Sequence, residues 1–245
     1  MFSRMAAWEE AAAVLRALKS GAPGIPFFAE GREAGSLRPL TNGATDREIG
    51  LLVDWRNRNR DRFLTWIDST PASARRWLDE AILARHDRLL FLVETPEGEP
   101  FGQVGLTNFE AEERACELDN WIRGPGAGVR GGMTMAIRAL MDFCFRTLGA
   151  QRVRARVFAD NPHVVDLHRG NGLRVMRTMP LRRIDRDGSV TWSEEEGLAG
   201  AEKSLVHLEA SRDGYAPLNH PADYLWSASS VQSSIGRTTP GKGPA

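Results

Sequence analysis

Apolar residues recur at helical spacing near the start of the chain, where Ala11, Val14, Leu15 and Leu18 form one stripe; side chains three and four residues apart share a helix face. Gly21-Ala-Pro-Gly-Ile-Pro then breaks the pattern, because glycine and proline favour turns over helix. The spacing predicts a short docking helix, with a homodimer contact as one use of its stripe, and residues 1–35 read as an N-terminal helical extension. Ser36-Leu-Arg-Pro-Leu alternates as a first strand, and Thr45-Asp-Arg-Glu has the form of a capping box opening a helix in which Ile49, Leu52, Val53 and Trp55 share a face. Thr70-Pro71 opens a second helix, with threonine as cap and proline in the first turn, and Ala74, Trp77, Leu78 and Ile82 follow at helical intervals.

Leu89-Leu-Phe-Leu-Val is continuously apolar, as a central strand buried on both faces must be. Pro96-Glu-Gly-Glu-Pro turns it into a strand over 101–106, and 114–122 alternates as the next, so the three predict an antiparallel meander. Along that last strand, simple alternation puts Glu117, Asp119 and Trp121 on one face and Cys116, Leu118, Asn120 and Ile122 on the other. A helix over 133–148 presents Met133, Ala136, Ile137, Leu140, Cys144 and Leu148 inward and Thr134, Arg138, Asp142 and Arg146 to solvent, and Gly149 ends it. Arg152-Val-Arg-Ala-Arg-Val-Phe alternates again, parallel to the strand before the helix, which makes a βαβ crossover. A short helix over 162–169, a hairpin of 173–184 with 190–192 and a last strand over 204–208 complete the ordered part, and the Ser/Gly/Thr/Pro-rich sequence from Ser227 is expected to be disordered. The predicted fold class is α+β, a mixed, largely antiparallel sheet flanked by helices, in one domain over 36–210 with an extension over 211–245.

Composition narrows the function. Lys+Arg and Asp+Glu both number 32, leaving a formal net charge of zero, so the chain lacks the basic footprint of a nucleic-acid binder. Only two cysteines occur, Cys116 and Cys144, far apart and on core elements, which fits a reducing compartment and argues against structural zinc. No apolar run reaches membrane-spanning length and the first helix is charged throughout, so a cytoplasmic protein without membrane, nucleic-acid or metal partners is expected.

The strongest chemical signal is Arg123-Gly-Pro-Gly-Ala-Gly-Val-Arg-Gly-Gly-Met-Thr134, a glycine-dense loop running into the long amphipathic helix. Backbone N–H groups of such a loop and the positive end of a helix dipole form a cradle for phosphates. Gly126-Ala-Gly128-Val-Arg-Gly131 matches the dinucleotide fingerprint literally. A dinucleotide-binding fold, however, places that loop after its first parallel strand and follows it with further strand–helix units; here a meander precedes it, and one short helix and hairpin strands follow.

The element order, together with Gly128-Val-Arg-Gly131-Gly-Met133-Thr, Val157-Phe-Ala-Asp-Asn161-Pro, Leu167-His168 and Gly172-Leu173, resembles the GNAT family of acyl-CoA-dependent N-acyltransferases over roughly residues 36 to 210. The loop variant with Met133-Thr134 is similar to the branch that includes ribosomal-protein acetyltransferases. The resemblance implies acetyl-CoA as co-substrate, held by Trp121 and Ile122 on the strand, by Gly128, Arg130, Gly131, Gly132, Met133 and Thr134 at the loop and helix start, and by Asn161. Where family members place a tyrosine that protonates the coenzyme A sulfur, this chain has His168, and histidine can also donate that proton; His163 can approach the same cleft.

Acyl transfer from a thioester needs a neutral amine, a polarised carbonyl and a proton for the departing thiolate. Glu117 and Asp119, on one face beside the phosphate cradle, are the candidate bases. Trp55-Arg-Asn-Arg-Asn-Arg60 ends the first helix of the pair that walls the acceptor side in the family; Arg56 and Arg58 can grip phosphate bidentately and Trp55 can stack on a base or sugar. Gly105-Leu-Thr-Asn-Phe109 and the 116–124 strand resemble a subgroup linked to glycan biosynthesis. The acceptor is therefore expected to be a small-molecule amine, with a nucleotide-linked amino sugar first and a protein N-terminus second; the alternative from another class is a catalytically silent acyl-CoA-binding module.

Overall fold

The computed structural model describes residues 2–125, 128–186 and 188–216. The tail expected to be disordered from Ser227 lies outside them. Five helices, α1 (Phe2–Lys19), α2 (Asp46–Arg58), α3 (Pro71–Trp77), α4 (Gly132–Asp142) and α5 (Pro162–Gly170), pack around ten strands: β1 (Ile25–Ala29), β2 (Arg32–Pro39), β3 (Thr65–Trp66), β4 (Leu89–Glu94), β5 (Pro100–Glu110), β6 (Ala115–Arg123), β7 (Arg152–Phe158), β8 (Arg174–Arg186), β9 (Ser189–Glu194) and β10 (Lys203–Ser211). The strands form one sheet in the order β1-β2-β4-β5-β6-β7-β10-β8-β9-β3. Every pairing is antiparallel except β6 with β7, which α4 connects, so the α+β reading and its single βαβ crossover hold.

The sheet begins earlier than the alternation at 36 indicates. Residues 25–39 form a hairpin, β1 against β2, turning at Glu30-Gly31 where both residues adopt positive φ; residues 25–35 thus belong to the sheet rather than to a helical extension. Phe27 and Ile25 of β1 are buried with Val14, Leu15 and Leu18 of α1, so the stripe of α1 is covered by its own chain instead of awaiting a partner.

Two cores sandwich the sheet. On one face α1 and α4 cover Leu89, Phe91, Val93, Val104, Cys116, Leu118, Val153 and Ala155; on the other, α2 and α3 cover Leu40, Leu90, Leu92 and Ile122. Both helices of the second layer start as expected. Thr45 and Glu48 exchange side-chain and backbone hydrogen bonds in a capping box, and Thr70 caps α3 with Pro71 in its first turn. Each satisfies amides that otherwise lack partners at a helix start. The one inward surprise on α4 is Asp142, expected on the solvent side but buried and hydrogen-bonded to Tyr215, whose hydroxyl pKa is pushed up by burial and by that carboxylate.

Candidate active site

The site begins where the parallel ladder ends. β6 and β7 pair from Ala115 and Arg152 to Leu118 and Ala155, yet β6 continues to Arg123 and β7 to Phe158. Two features drive the strands apart. β7 is held on its other edge by seven pairs with β10, out to Phe158 and Leu205. β6 bulges, because Gly105 pairs with Asp119 and Gln103 with Ile122, so that Asn120 and Trp121 together oppose Val104, with Asn120 at φ 50. A bulge of this kind bends its strand and re-aims side chains. The gap opens into a cleft of about 740 Å³, lined by β6, β7, the start of α4, α5 and the connection between α2 and α3.

The same bulge corrects the face assignment made from alternation. Beyond Asn120 the parity inverts: Trp121 packs edge-on to His168 at 5.4 Å on the α4 face, while Ile122 joins Trp55 in the α2/α3 core. Glu117 and Asp119 keep the α2/α3 face, so Trp121 does not share theirs.

At the mouth of the cleft, Gly131 caps α4 with φ 74, a left-handed conformation that favours glycine. The first bond of helical spacing runs from the Met135 N–H to the Gly131 carbonyl at 3.0 Å; the amides of Met133 and Thr134 precede it and belong to the set a helix start leaves without intrahelical partners. Gly131, Gly132, Met133 and Thr134 all line the cleft. Gly128 and Arg130 do not. A Cβ on Gly128 would sit 2.3 Å from the Phe101 ring, so glycine is needed there for packing, and Arg130 is exposed in the turn before the helix. Of the loop residues expected to hold phosphate, the structure brings four to the cleft.

The two candidate bases differ sharply. Glu117 accepts from Arg156 Nε at 2.7 Å through one oxygen and from Asn108 Nδ2 at 3.0 Å through the other, and Arg156 also reaches Glu194, which contacts His207 at 2.9 Å. Both of its oxygens are engaged. Asp119 has one side-chain bond, from Asn120 Nδ2 at 2.8 Å, and its pKa is raised by desolvation, with the Glu117 charge adding to the effect and Arg88 and Arg156 opposing it. A desolvated carboxylate with a raised pKa, lining a cleft, is the arrangement a general base requires.

His168 lines the cleft but is 3% exposed. Burial pushes its pKa down to about 4, so at neutral pH the ring is uncharged and has no imidazolium proton to give; the general-acid role expected for it does not fit. Its Nδ1 and the neighbouring Trp121 Nε1 are buried without hydrogen-bond partners among the described residues. Asn161 precedes α5 without capping it through its side chain and, like His163, lines the cleft. Orphaned polar atoms at His168 and Trp121 and the open amides of α4 suit a ligand with amides and a pyrophosphate, as coenzyme A has.

On the acceptor side, Trp55 is 2% exposed. Its ring lies so close to Gly124 that a Cβ there would approach within 2.5 Å, which makes it core and removes it as a stacking platform. Arg58 is exposed and paired with Asp54 one turn earlier at 2.7 Å; it does not line the cleft. Arg56 does, with its guanidinium 3.5 Å above the Phe63 ring and bonded to the Thr65 carbonyl at 2.9 Å. Desolvation lowers its pKa to about 10, so it stays charged at neutral pH. Arg62, Arg88 and Arg156 also line the cleft and were not singled out from sequence. Arg88 and Arg156 were accessible by parity, Arg88 with Leu90 and Leu92 and Arg156 with Arg154, opposite the buried valines of β7.

Residues 36–174 match the family model for the acetyltransferase (GNAT) domain. No curated protein matches the chain. Among solved structures, spermidine N-acetyltransferase from Vibrio cholerae in complex with CoA and spermine superposes with a TM-score of 0.57 at 17% identity, covering 74% of this chain and 98% of that one. A point mutant of the same enzyme gives 0.56 at 17% identity over 75% and 97%. At these identities the likeness is one of fold.

Proposed function

The chain belongs to the acetyltransferase (GNAT) family, and on that premise we propose that it transfers the acetyl group of acetyl-CoA to the primary amine of a small molecule, a nucleotide-linked amino sugar. The observation that carries this reading is the unpaired divergence of β6 and β7 beside the open first turn of α4, with Asp119 on the acceptor side of the gap. In this reading the amides of Met133 and Thr134 face the pyrophosphate, and the free edge of β6 at Trp121 and Ile122 holds the pantetheine arm. Asp119 accepts the proton that the acceptor ammonium must lose before its nitrogen forms a bond to the carbonyl carbon; the carbon–sulfur bond then breaks and the thiolate takes a proton from water. Glu117, locked by Arg156 and Asn108, positions the charge around Asp119. The amino-sugar acceptor is supported by the guanidinium-rich acceptor side, where Arg56, Arg62, Arg88 and Arg156 line the cleft and guanidinium suits phosphate oxygens.

Thiol release from acetyl-CoA, measured against amino sugars, nucleotide-linked amino sugars, N-terminal peptides and spermidine, tests the reading. Turnover is expected with nucleotide-linked amino sugars. Turnover with peptides alone would place the chain among protein N-terminal acetyltransferases, and acetyl-CoA binding without turnover across the panel would leave a silent binding module.

A further inference from the structure

We propose that the acceptor side of the cleft contains an oxyanion subsite built on Arg88, so that the acceptor is an amine carrying its own carboxylate or phosphate. The inference rests on the acetyl-transfer reading and narrows its acceptor.

Arg88 immediately precedes β4 and keeps parity with Leu90 and Leu92, which lie in the α2/α3 core. Asp119 occupies the same face two strands away, since Leu90 pairs with Gly105 and Gly105 with Asp119. By register Arg88 is level with Thr107 and Glu117, one pair of residues along from Gly105 and Asp119, so Arg88 faces Asp119 on the diagonal. Both line the cleft, and beside Asp119 the intervening strand carries only Gly105, where a Cβ would meet the Leu89 carbonyl at 2.9 Å.

The other arginines on this side of the cleft already have partners. Arg56 donates to the Thr65 carbonyl and stacks on Phe63. Arg62 pairs with Asp61 and Asp160, each at 3.5 Å. Arg156 is shared between Glu117 and Glu194. Arg88 makes no hydrogen bond or ion pair among the described residues, and its Nε is buried and unsatisfied, although its charge is felt at Asp119. A guanidinium with a dry, unfilled donor costs free energy unless something completes it, and its planar fork matches carboxylate and phosphate.

The two groups that remain suit one ligand. Asp119 takes its side-chain bond from Asn120 and Arg88 Nε has no partner, so an amine bearing its own oxyanion places the oxyanion on Arg88 and the nitrogen beside Asp119. A polyamine such as spermidine, the substrate named for the structural neighbours, offers nothing to Arg88.

Four probes that differ only in charge separate the outcomes: ethanolamine, phosphoethanolamine, β-alanine and spermidine. The wild-type protein should acetylate phosphoethanolamine or β-alanine in preference to ethanolamine and spermidine, and the better of the two anions identifies phosphate or carboxylate as the source. Arg88→Gln should raise KM for the anionic amine ~10–100-fold, the effect of one charge-assisted hydrogen-bond pair, without changing KM for acetyl-CoA, and Arg88→Lys should recover part of the loss. Equal kcat/KM for ethanolamine and the anionic amines, or an equal effect of Arg88→Gln on both, would overturn the subsite while leaving acetyl transfer intact. Should no amine be turned over, calorimetry of phosphoethanolamine and β-alanine on the CoA-saturated protein still decides: binding that Arg88→Gln weakens supports the subsite, and absent or equal binding refutes it.

Discussion

Asp119→Asn separates the two acidic residues that sequence alternation treated as equivalents. The substitution keeps shape and removes the charge that, in the proposed mechanism, accepts a proton. General-base catalysis contributes roughly 10²–10⁴-fold, or ~2.7–5.4 kcal/mol of transition-state stabilisation, so kcat with saturating acetyl-CoA should fall by that factor. Glu117→Gln removes the ion pair with Arg156, which is 32% exposed and retains Glu194; the cost should be confined to ~1 kcal/mol of stability and a rate loss under ~10-fold. The pH profile adds a sign. Asp119 must be ionised to act, and its pKa is raised above the ordinary 3.8, so kcat/KM should fall as pH drops through the raised value, and Asp119→Asn should abolish that acid limb. Stability should move oppositely. A carboxyl whose folded pKa is raised binds protons more readily folded than unfolded, so stability is lost as pH rises from 3.8 through the raised pKa. Asp119→Asn should therefore melt higher than wild type at neutral pH while turning over slower. Rates would be followed by thiol release and stability by urea unfolding. A Glu117→Gln enzyme as slow as Asp119→Asn, or an acid limb that survives in Asp119→Asn, would refute the assignment.

The fold yields three further expectations. His168, with its pKa lowered from 6.5 to about 4, binds a proton unfolded but not folded between those values; wild type should lose about 3 kcal/mol of stability as pH falls from 6.5 to 4, and urea midpoints of His168→Gln should lack that slope. Trp55→Ala should cost ~3–5 kcal/mol, as truncation of a buried aromatic does, seen as a lowered denaturant midpoint; a loss confined to acceptor KM would restore Trp55 to the binding site. In the loop, Gly131→Ala meets open space and bears only the positive-φ strain of ~1–2 kcal/mol, whereas Gly128→Ala drives a methyl into Phe101 and should lower the melting temperature further.

Much of the architecture was legible because local rules agree with the final packing. The capping box at Thr45, the cap at Thr70, the apolar run of β4, Gly149 after the helical stretch Phe143–Thr147 that continues α4 and the alternation of β7 each reflect short-range chemistry that tertiary contacts reinforce. What failed did so for identifiable reasons. β1 escaped because Ile-Pro-Phe-Phe-Ala follows a glycine–proline stretch and is too short to show a period. Trp121 was assigned to the wrong face because alternation assumes an unbroken pleat, and the bulge at Asn120 leaves no compositional mark. Trp55, on the apolar face of its helix, was also given a stacking role, and Asp142 was read as solvent-facing, because only the fold decides what packs over a helix end. Among candidate site residues, the run from Gly131 to Thr134 was legible as a glycine-rich helix start, while Arg88 was not, since one arginine before an apolar strand is ordinary until its neighbours across the sheet are known.

The sequence by itself determined the order of elements from β4 onward, the crossover around α4 and the glycine-rich start of that helix, because these depend on periodicity and on backbone freedom at single residues. Only the tertiary structure decided that β6 and β7 part after Leu118, that Glu117 is locked by Arg156 and Asn108 while Asp119 is left lightly bonded with a raised pKa, and that Arg88 alone among the acceptor-side arginines lacks a partner. Those outcomes depend on how strands from distant parts of the chain compete for one another's edges and charges, and such competition is settled in space.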